Sequence, residues 1–578
     1  MPMANGAAGV VGSPVSKWQL ALAVGAPVAL GLGYMYYRNA STKSDRETSK
    51  DTGKSNGIGT EKQISIDGGF TGAAPPSVDE TPTERAQRYK NLGNIVFKAG
   101  KYDEAIAHYN MAIEACPKDN KSDLATFYQN RAAAYEQLKK YTAVKEDCTR
   151  ALELKPKYVK ALLRRARAME RMNKLELVLE DVTAACLLEQ FQNQSTLQMA
   201  DRVLKKLGKQ HAQEHMENKV PVMPGKHFVK TYFGSFKRDP LISEKTESTI
   251  LDEIATKALK KARQALKEQR YDDIIPICTE EIERVGNKDL SIEMQLRLLR
   301  ATFYTLLGQH ELAMADLGVV IDSVDSSNAV KVNALINRAS LFMQLEKHDE
   351  CFDDYKKAIE IDADCSDIYH HRGQMNLLLD RIEEAKEDSS KALSLNPDFG
   401  VGYAQMCYVN YRYAMTKRSV ELQSEAMRNF EKSFEKFPNT SECHTLYAQV
   451  LADSQKFDEA DEHFATASMM DPENSTILVH RGLLQLQWKG DVTKGIDFIQ
   501  KALEIDEKSA FGYETLATIE VQRGNLKEAI ELFDKALALG RSAMELTHIF
   551  SLQDAAKAQL KVMERLGAEL TWMPQGMA

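Results

Sequence analysis

Glycine and proline are scarce, 31 and 16 among 578 residues. That is well below the roughly 12% of average usage and argues against collagen-like, low-complexity and turn-rich all-β chains. Neither charge dominates: 75 Lys and Arg stand against 83 Asp and Glu, a net charge of −8. No basic block reaches the density of a nucleic-acid footprint, so nucleic acid is not an expected partner. The eight cysteines, Cys116, Cys148, Cys186, Cys278, Cys351, Cys365, Cys407 and Cys443, form no C-x-x-C and no short pair. This argues against a disulfide framework or a zinc site and for buried thiols in a reducing cytosol. Four Asn-x-Ser/Thr sequons, beginning at Asn39, Asn193, Asn439 and Asn474, are too loose a tripeptide to argue for a secretory lumen.

Enzymatic signatures are missing as well. Gly53, Lys54 and Ser55 lack the glycine five residues earlier that a phosphate-binding loop requires. His370 and His371 are adjacent and cannot share one helical face as the two histidines of H-E-x-x-H do. No catalytic residue, metal site or cofactor is therefore expected, and the chain is not expected to be an enzyme.

One long hydrophobic run is present. Trp18 to Tyr37 reads WQLALAVGAPVALGLGYMYY, free of charge and long enough to cross a hydrocarbon core of about 30 Å as a helix. Trp18 at one end and Tyr34, Tyr36 and Tyr37 at the other suit the two interfaces of a bilayer. A cleaved signal peptide would have a basic n-region and a shorter core, whereas Lys17 is the only basic residue upstream. Arg38, Lys43, Arg46 and Lys50 follow the run, so the positive-inside bias puts the C-terminal side in the cytosol. Ala21, Gly25, Ala29 and Gly33 lie four apart, a stripe that would let a second membrane helix approach closely. Residues 38–83 are Ser, Thr, Gly, Lys and Asp with few apolar side chains. They cannot offset their ordering entropy and read as a tether.

From Glu84 onward small and large apolar residues recur with a period of 34. The first copy carries Tyr89, Leu92, Gly93, Gly100, Tyr102, Ala105, Tyr109, Ala112 and Pro117; the second carries Tyr128, Ala132, Tyr135, Tyr141, Ala151 and Pro156. The third keeps Leu162, Ala166 and Ala185. The pattern resembles the tetratricopeptide repeat, a helix-turn-helix unit whose small positions allow close helix contact. The register breaks at 191–255, where Pro221, Pro224 and Pro240 interrupt a stretch whose Phe228, Tyr232, Phe233 and Phe236 call for burial. Eight further copies follow from Ala262 to Ala536, one of them irregular around Lys417 to Gln423, and an amphipathic helix of about Ala543 to Leu566 is expected to cap the array. The expected fold is all-α, a tetratricopeptide superhelix of about eleven repeats, three and eight, behind a single membrane helix.

In such repeats the first helix of each unit lines a concave groove. The register puts Lys90, Asn94, Asn130, Lys160 and Arg164 into it from three successive helices. Lys90 and Asn94 share one helical face, as do Lys160 and Arg164. Ammonium, guanidinium and amide donors converging there suit a peptide's terminal carboxylate and an adjacent side-chain carboxylate. These five residues are similar, position by position, to the carboxylate clamp of tetratricopeptide co-chaperones. The resemblance implies cytosolic heat-shock chaperones, held by their C-terminal Glu-Glu-Val-Asp tails, as partners. The same register in the later repeats gives Asn337, His371, Gln374, Glu442, Gln449, His480, Leu483, Thr518 and Gln522, a mixed polar groove for a peptide of variable sequence.

Anchor, tether and two repeat arrays together resemble the tetratricopeptide receptors of the mitochondrial outer-membrane translocase over essentially the whole chain. The most specific stretches are WQLALAVGAP from Trp18, FYQNRAAAYEQL from Phe127, YHHRGQ from Tyr369, LLQLQWK from Leu483 and TIEVQRGN from Thr518. The resemblance implies a single-pass outer-membrane receptor with residues 1–17 in the intermembrane space. Its tail-binding repeats would span 84–190, a linker 191–255, preprotein-binding repeats 256–540 and a capping helix with its tail 541–578. It also implies transfer of mitochondrial preproteins with internal targeting signals, together with other translocase subunits. The alternative is a membrane-tethered co-chaperone of another organelle such as the endoplasmic reticulum.

Overall fold

The computed structural model of the chain describes residues 80–241, 253–285 and 290–567. The expected anchor at 18–37, its small-residue stripe and nearly all of the tether lie outside the described residues. Among the described residues there are 25 α-helices and no strand, and no helix is long and apolar enough to cross a membrane.

The first three helix pairs are α1 (Pro82–Lys98) with α2 (Tyr102–Ala115), α3 (Lys121–Gln137) with α4 (Tyr141–Leu154), and α5 (Val159–Arg171) with α6 (Leu175–Leu188). Two unpaired helices follow, α7 (Gln194–Asn218) and α8 (Lys226–Gly234). Pairing resumes with α9 (Glu253–Lys267) and α10 (Ile274–Val285), α11 (Leu290–Leu306) and α12 (His310–Asp322), α13 (Asn328–Gln344) and α14 (His348–Ile361), and α15 (Ser366–Leu378) and α16 (Ile382–Leu395). Next come α17 (Gly400–Lys417) and α18 (Val420–Lys436), α19 (Ser441–Asp453) and α20 (Phe457–Met470), α21 (Ser475–Lys489) and α22 (Val492–Ile505), and α23 (Ala510–Gln522) and α24 (Leu526–Leu539). The last helix is α25 (Ala543–Leu566). The irregular copy takes up its extra residues by lengthening α17 and α18 to 18 and 17 residues.

Local chemistry sets the helix ends. Thr81 caps α1 in a reciprocal box with Glu84, and Pro82 stands in the first turn, where its missing N–H costs nothing. Every turn within a pair contains a residue at positive φ: Gly100, Lys139 and Asn173 in the first three, then Gln269, Gly308, Glu346, Asp380, Arg418, Gln455, Gly490 and Gly524. Only four of these eleven are glycine. Lys139→Gly is therefore expected to raise stability by up to about 1 kcal/mol, since a side chain in the left-handed region crowds its own backbone; urea melts of the two proteins check this.

The small positions are set by packing. A Cβ on Gly93 would stand 2.6 Å from the ring of Tyr109, and one on Gly482 would stand 2.7 Å from the carbonyl oxygen of Gly495. Both distances lie below contact, which is why two helices of a pair can touch only if one residue there is this small.

The described residues divide into two compact units. One holds 80–210, 520–530 and 550–567, and the other holds 211–519 and 531–549. In the first, Val178, Leu179 and Val182 of α6 pack with Met199, Val203 and Leu207 of α7 and Ala558 of α25. Val562 of α25 joins Leu162 and Ala184, and Lys561 pairs with Glu180 at 2.8 Å. In the second, one core runs from Met223 to Leu484 around the buried rings of Phe303, Tyr355, Tyr408 and Phe430. All eight cysteines are buried free thiols.

Five pairs carry the same internal ion pair, from an arginine on the first helix to an aspartate 16 residues later on the second. They are Arg131 with Asp147, Arg165 with Asp181, Arg300 with Asp316, Arg338 with Asp354, and Arg372 with Asp388. Each is bidentate, with closest N···O distances of 2.6 or 2.7 Å. Planar guanidinium on planar carboxylate fixes both the spacing and the rotation of the two helices.

Candidate functional site

In the first unit hydrogen bonds tie three of the five predicted clamp residues, Asn94, Asn130 and Arg164, to their neighbours across α1, α3 and α5. The Oδ1 of Asn94 on α1 accepts from the Tyr109 hydroxyl at 2.8 Å and from the Asn130 amide on α3 at 3.3 Å. Arg164 on α5 reaches α3 twice, donating from Nε to Glu136 at 2.8 Å and from Nη1 to the Gln129 carbonyl at 3.2 Å. Its side chain is 16% exposed, and a guanidinium has five donors, so N–H groups remain for a ligand. Glu136 also accepts from Arg167 at 3.0 Å. Burial pushes the Glu136 carboxyl up, but hydrogen bonds from Arg164 and Arg167 pull it below the ordinary range.

Lys90 on α1 is partly buried and Lys160 on α5 is exposed, and neither has a partner among the described residues. The arrangement is two unpaired ammonium groups, a guanidinium positioned by Glu136, and two amides. It is chemically suited to an anion bearing two carboxylates. Glu136, which holds Arg164 in place, was not singled out in the sequence, and Tyr109, which holds Asn94, was read there only as a repeat residue. Nothing short of the helix packing assigns them these roles.

The groove residues of the second unit are placed differently. His371 and Gln374 on α15 are 1% and 4% exposed. The amide nitrogen of Gln374 lies 3.1 Å from His370 Nε2 and donates to Gln405 at 3.0 Å. The chain's own Phe236 covers His371, with ring centroids 4.4 Å apart. Glu442 at the start of α19 is partly buried. Its carboxyl is pushed up by burial and by neighbouring Asp471, with His227 pulling the other way. Gln449 is buried with neither amide atom hydrogen-bonded among the described residues. His480 sits between Phe464 and Phe511, each ring 5.9 Å away. Thr518 spends its hydroxyl on the Glu514 carbonyl, and Gln522, exposed at the end of α23, falls in the first unit and not the second.

Burial pushes His480 down to about 4. The folded chain therefore keeps this ring neutral while the unfolded chain, at the ordinary 6.5, takes up a proton. The stabilisation is complete above pH 6.5 and is lost as pH falls toward 4. His480→Phe is expected to reduce the stability lost between pH 6.5 and pH 5 by roughly 2 kcal/mol. Denaturant melts at the two pH values measure it, and an undiminished loss would contradict the assignment.

Stacked helix pairs with a donor-rich face across three successive first helices define a tetratricopeptide-repeat receptor. Models of the tetratricopeptide repeat match residues 86–119, 125–158, 332–365 and 366–399. The chain is 44% identical to the human mitochondrial import receptor subunit TOM70, over 95% of this chain and 93% of that protein. It is 26% identical to the Saccharomyces cerevisiae subunit of the same name, over 84% and 81%. A crystal structure of yeast Tom70 superposes with a TM-score of 0.49 at 25% identity, covering 83% of this chain and 96% of that one. The chain belongs to the family of TOM70 mitochondrial import receptor subunits.

Proposed function

We propose that this import receptor works with two separate peptide-binding modules. The repeats at 84–190 dock cytosolic heat-shock chaperones by their C-terminal Glu-Glu-Val-Asp tails, and the repeats at 256–540 take preproteins with internal targeting signals. The cargo then passes to the translocation pore through other translocase subunits. Residues 18–37 anchor the chain once in the mitochondrial outer membrane, with 1–17 in the intermembrane space and the repeats in the cytosol. Residues 191–255 link the modules, and 541–578 close the array.

The observation that carries the tail-binding half is the set of unpaired donors on three successive helices, Lys90, Lys160 and the free Nη hydrogens of Arg164. The polar side chains along α15, α19 and α21 support the preprotein half. Membership of a mitochondrial family weighs against the endoplasmic-reticulum co-chaperone.

The test uses the full chain in isolated mitochondria. External protease is expected to remove the repeats, and a saturating Glu-Glu-Val-Asp peptide is expected to block chaperone docking while leaving direct binding of a purified preprotein intact. Full protection from protease would refute the orientation. Stoichiometric displacement of preprotein by the tail peptide would refute the two-module reading.

A further inference from the structure

The second unit already contains a bound peptide, and it is part of the chain. Between Lys226 and Arg238 the sequence KHFVKTYFGSFKR has four Lys and Arg and no acid. Tyr232, Phe233 and Phe236 of this stretch are 2%, 6% and 7% exposed. They rest on successive first helices of the repeats: Phe233 against Phe303 of α11 at 6.0 Å, the Tyr232 hydroxyl donating to Asn337 of α13, and Phe236 over His371 of α15. Asn337 and His371 are two of the residues that the repeat register aims into the groove.

Two ion pairs outside this aromatic strip run in one sense, cation on the segment and anion on the wall, and His227 adds a hydrogen-bond contact to a third wall carboxylate. His227 meets Asp471 at 2.9 Å, Lys230 meets Glu473 at 3.4 Å, and Arg238 meets Asp362 at 3.6 Å. The Arg238 amide also donates to Asp367 at 2.9 Å. Aromatic side chains buried against successive helices, with charges of opposite sign paired at the rim, are how a peptide docks in a groove.

We infer that Lys226–Arg238 is an intramolecular occupant of the preprotein groove, which cargo displaces to reach Asn337 and His371. This inference rests on the reading of that groove as the preprotein site. Covalent attachment gives the segment a high effective concentration, so it holds the site against weak competitors. It is displaced by ligands of its own chemistry: a short helix ending in two adjacent aromatic side chains, with a third aromatic just past its end, flanked by cations and free of acids. Its departure would bare a continuous apolar strip, which a protein exposes only where something binds. The groove is thereby covered when no cargo is present.

The experiment loosens and locks the segment in the full cytosolic chain. Lys230→Glu with Arg238→Glu reverses two rim pairs without touching the core, and Phe236→Ala removes one ring. Arg238→Cys with Asp362→Cys, bridged by a bis-methanethiosulfonate reagent long enough to span an arginine–aspartate contact, gives a reducible link across that pair. The probes are a fluorescein-labelled synthetic Lys226–Arg238 peptide and a radiolabelled multi-spanning mitochondrial preprotein made in vitro. Both loosened variants are expected to bind both probes at least ten-fold more tightly than the parent, with tail-peptide affinity unchanged as the check on folding. The bridged lock is expected to lose both probes and recover them on reduction. Preprotein bound equally by parent, loosened and locked forms would overturn this inference and leave the receptor reading standing. Preprotein bound by none of them, with the tail peptide still bound, would overturn the receptor reading and this inference with it.

Discussion

Replacing Arg338 by alanine is expected to destabilise the second unit by about 3–5 kcal/mol, the cost of leaving a buried charge without its partner. Asp354 is 2% exposed, and both its oxygens are taken by Arg338 at 2.7 and 2.8 Å. Only Lys357, at 3.6 Å and largely in solvent, remains to it, so the effect is expected toward the lower end of that range. Substituting both members, Arg338→Met with Asp354→Leu, is expected to recover most of the loss, because two apolar groups need no pairing. Urea titration of the three variants checks this. A single variant as stable as the parent would show that the pair contributes nothing beyond spacing.

Arg164→Ala is expected to weaken binding of a Glu-Glu-Val-Asp peptide by about 1.5–3 kcal/mol, roughly ten- to 150-fold, the scale of charge-assisted hydrogen bonds. The structure adds a reason to expect the upper half. Removing this side chain also leaves Glu136, 22% exposed, on the floor of the site with only Arg167 to neutralise it, so a like charge then faces the incoming carboxylates. Lys90→Ala and Lys160→Ala act in the same direction with smaller effect, since each ammonium is a single point charge that no partner holds in place, and raised salt weakens the parent complex. Isothermal titration at two salt concentrations measures all of this, and an unchanged affinity in Arg164→Ala would end the assignment.

How far the sequence could be read follows the range of each interaction. Helix pairs were legible because Gly93, Ala132 and Ala166 hold the same place in successive first helices, 39 and 34 residues apart, and one close contact per pair requires a small residue there. The residues proposed for the clamp could be located for the same reason, since their places on the first helices are tied to the register. The turns were legible only at glycine, because Lys139 and Glu346 adopt the same backbone under constraint from the helices on either side. The repeated arginine and aspartate, always 16 apart, are a periodic signal as regular as the small residues, but they hide among 158 charged side chains. The aromatic side chains of 228–236 announced burial and not the place of it. That place lies with Asn337 and His371, more than 100 residues away, which no local pattern encodes.

The packing of α25 has a consequence in time. Val562 and Ala558 complete the core around α5, α6 and α7, and Lys561 meets Glu180 across 381 residues of chain. A ribosome adding about 5–20 residues per second takes roughly 20–80 seconds to cover that interval. The repeats synthesised first are thus the last to be finished, and Leu162, Val178 and Val182 wait with one side of their core open until translation is nearly done. Throughout that interval the unfinished core presents apolar surface that the completed chain buries.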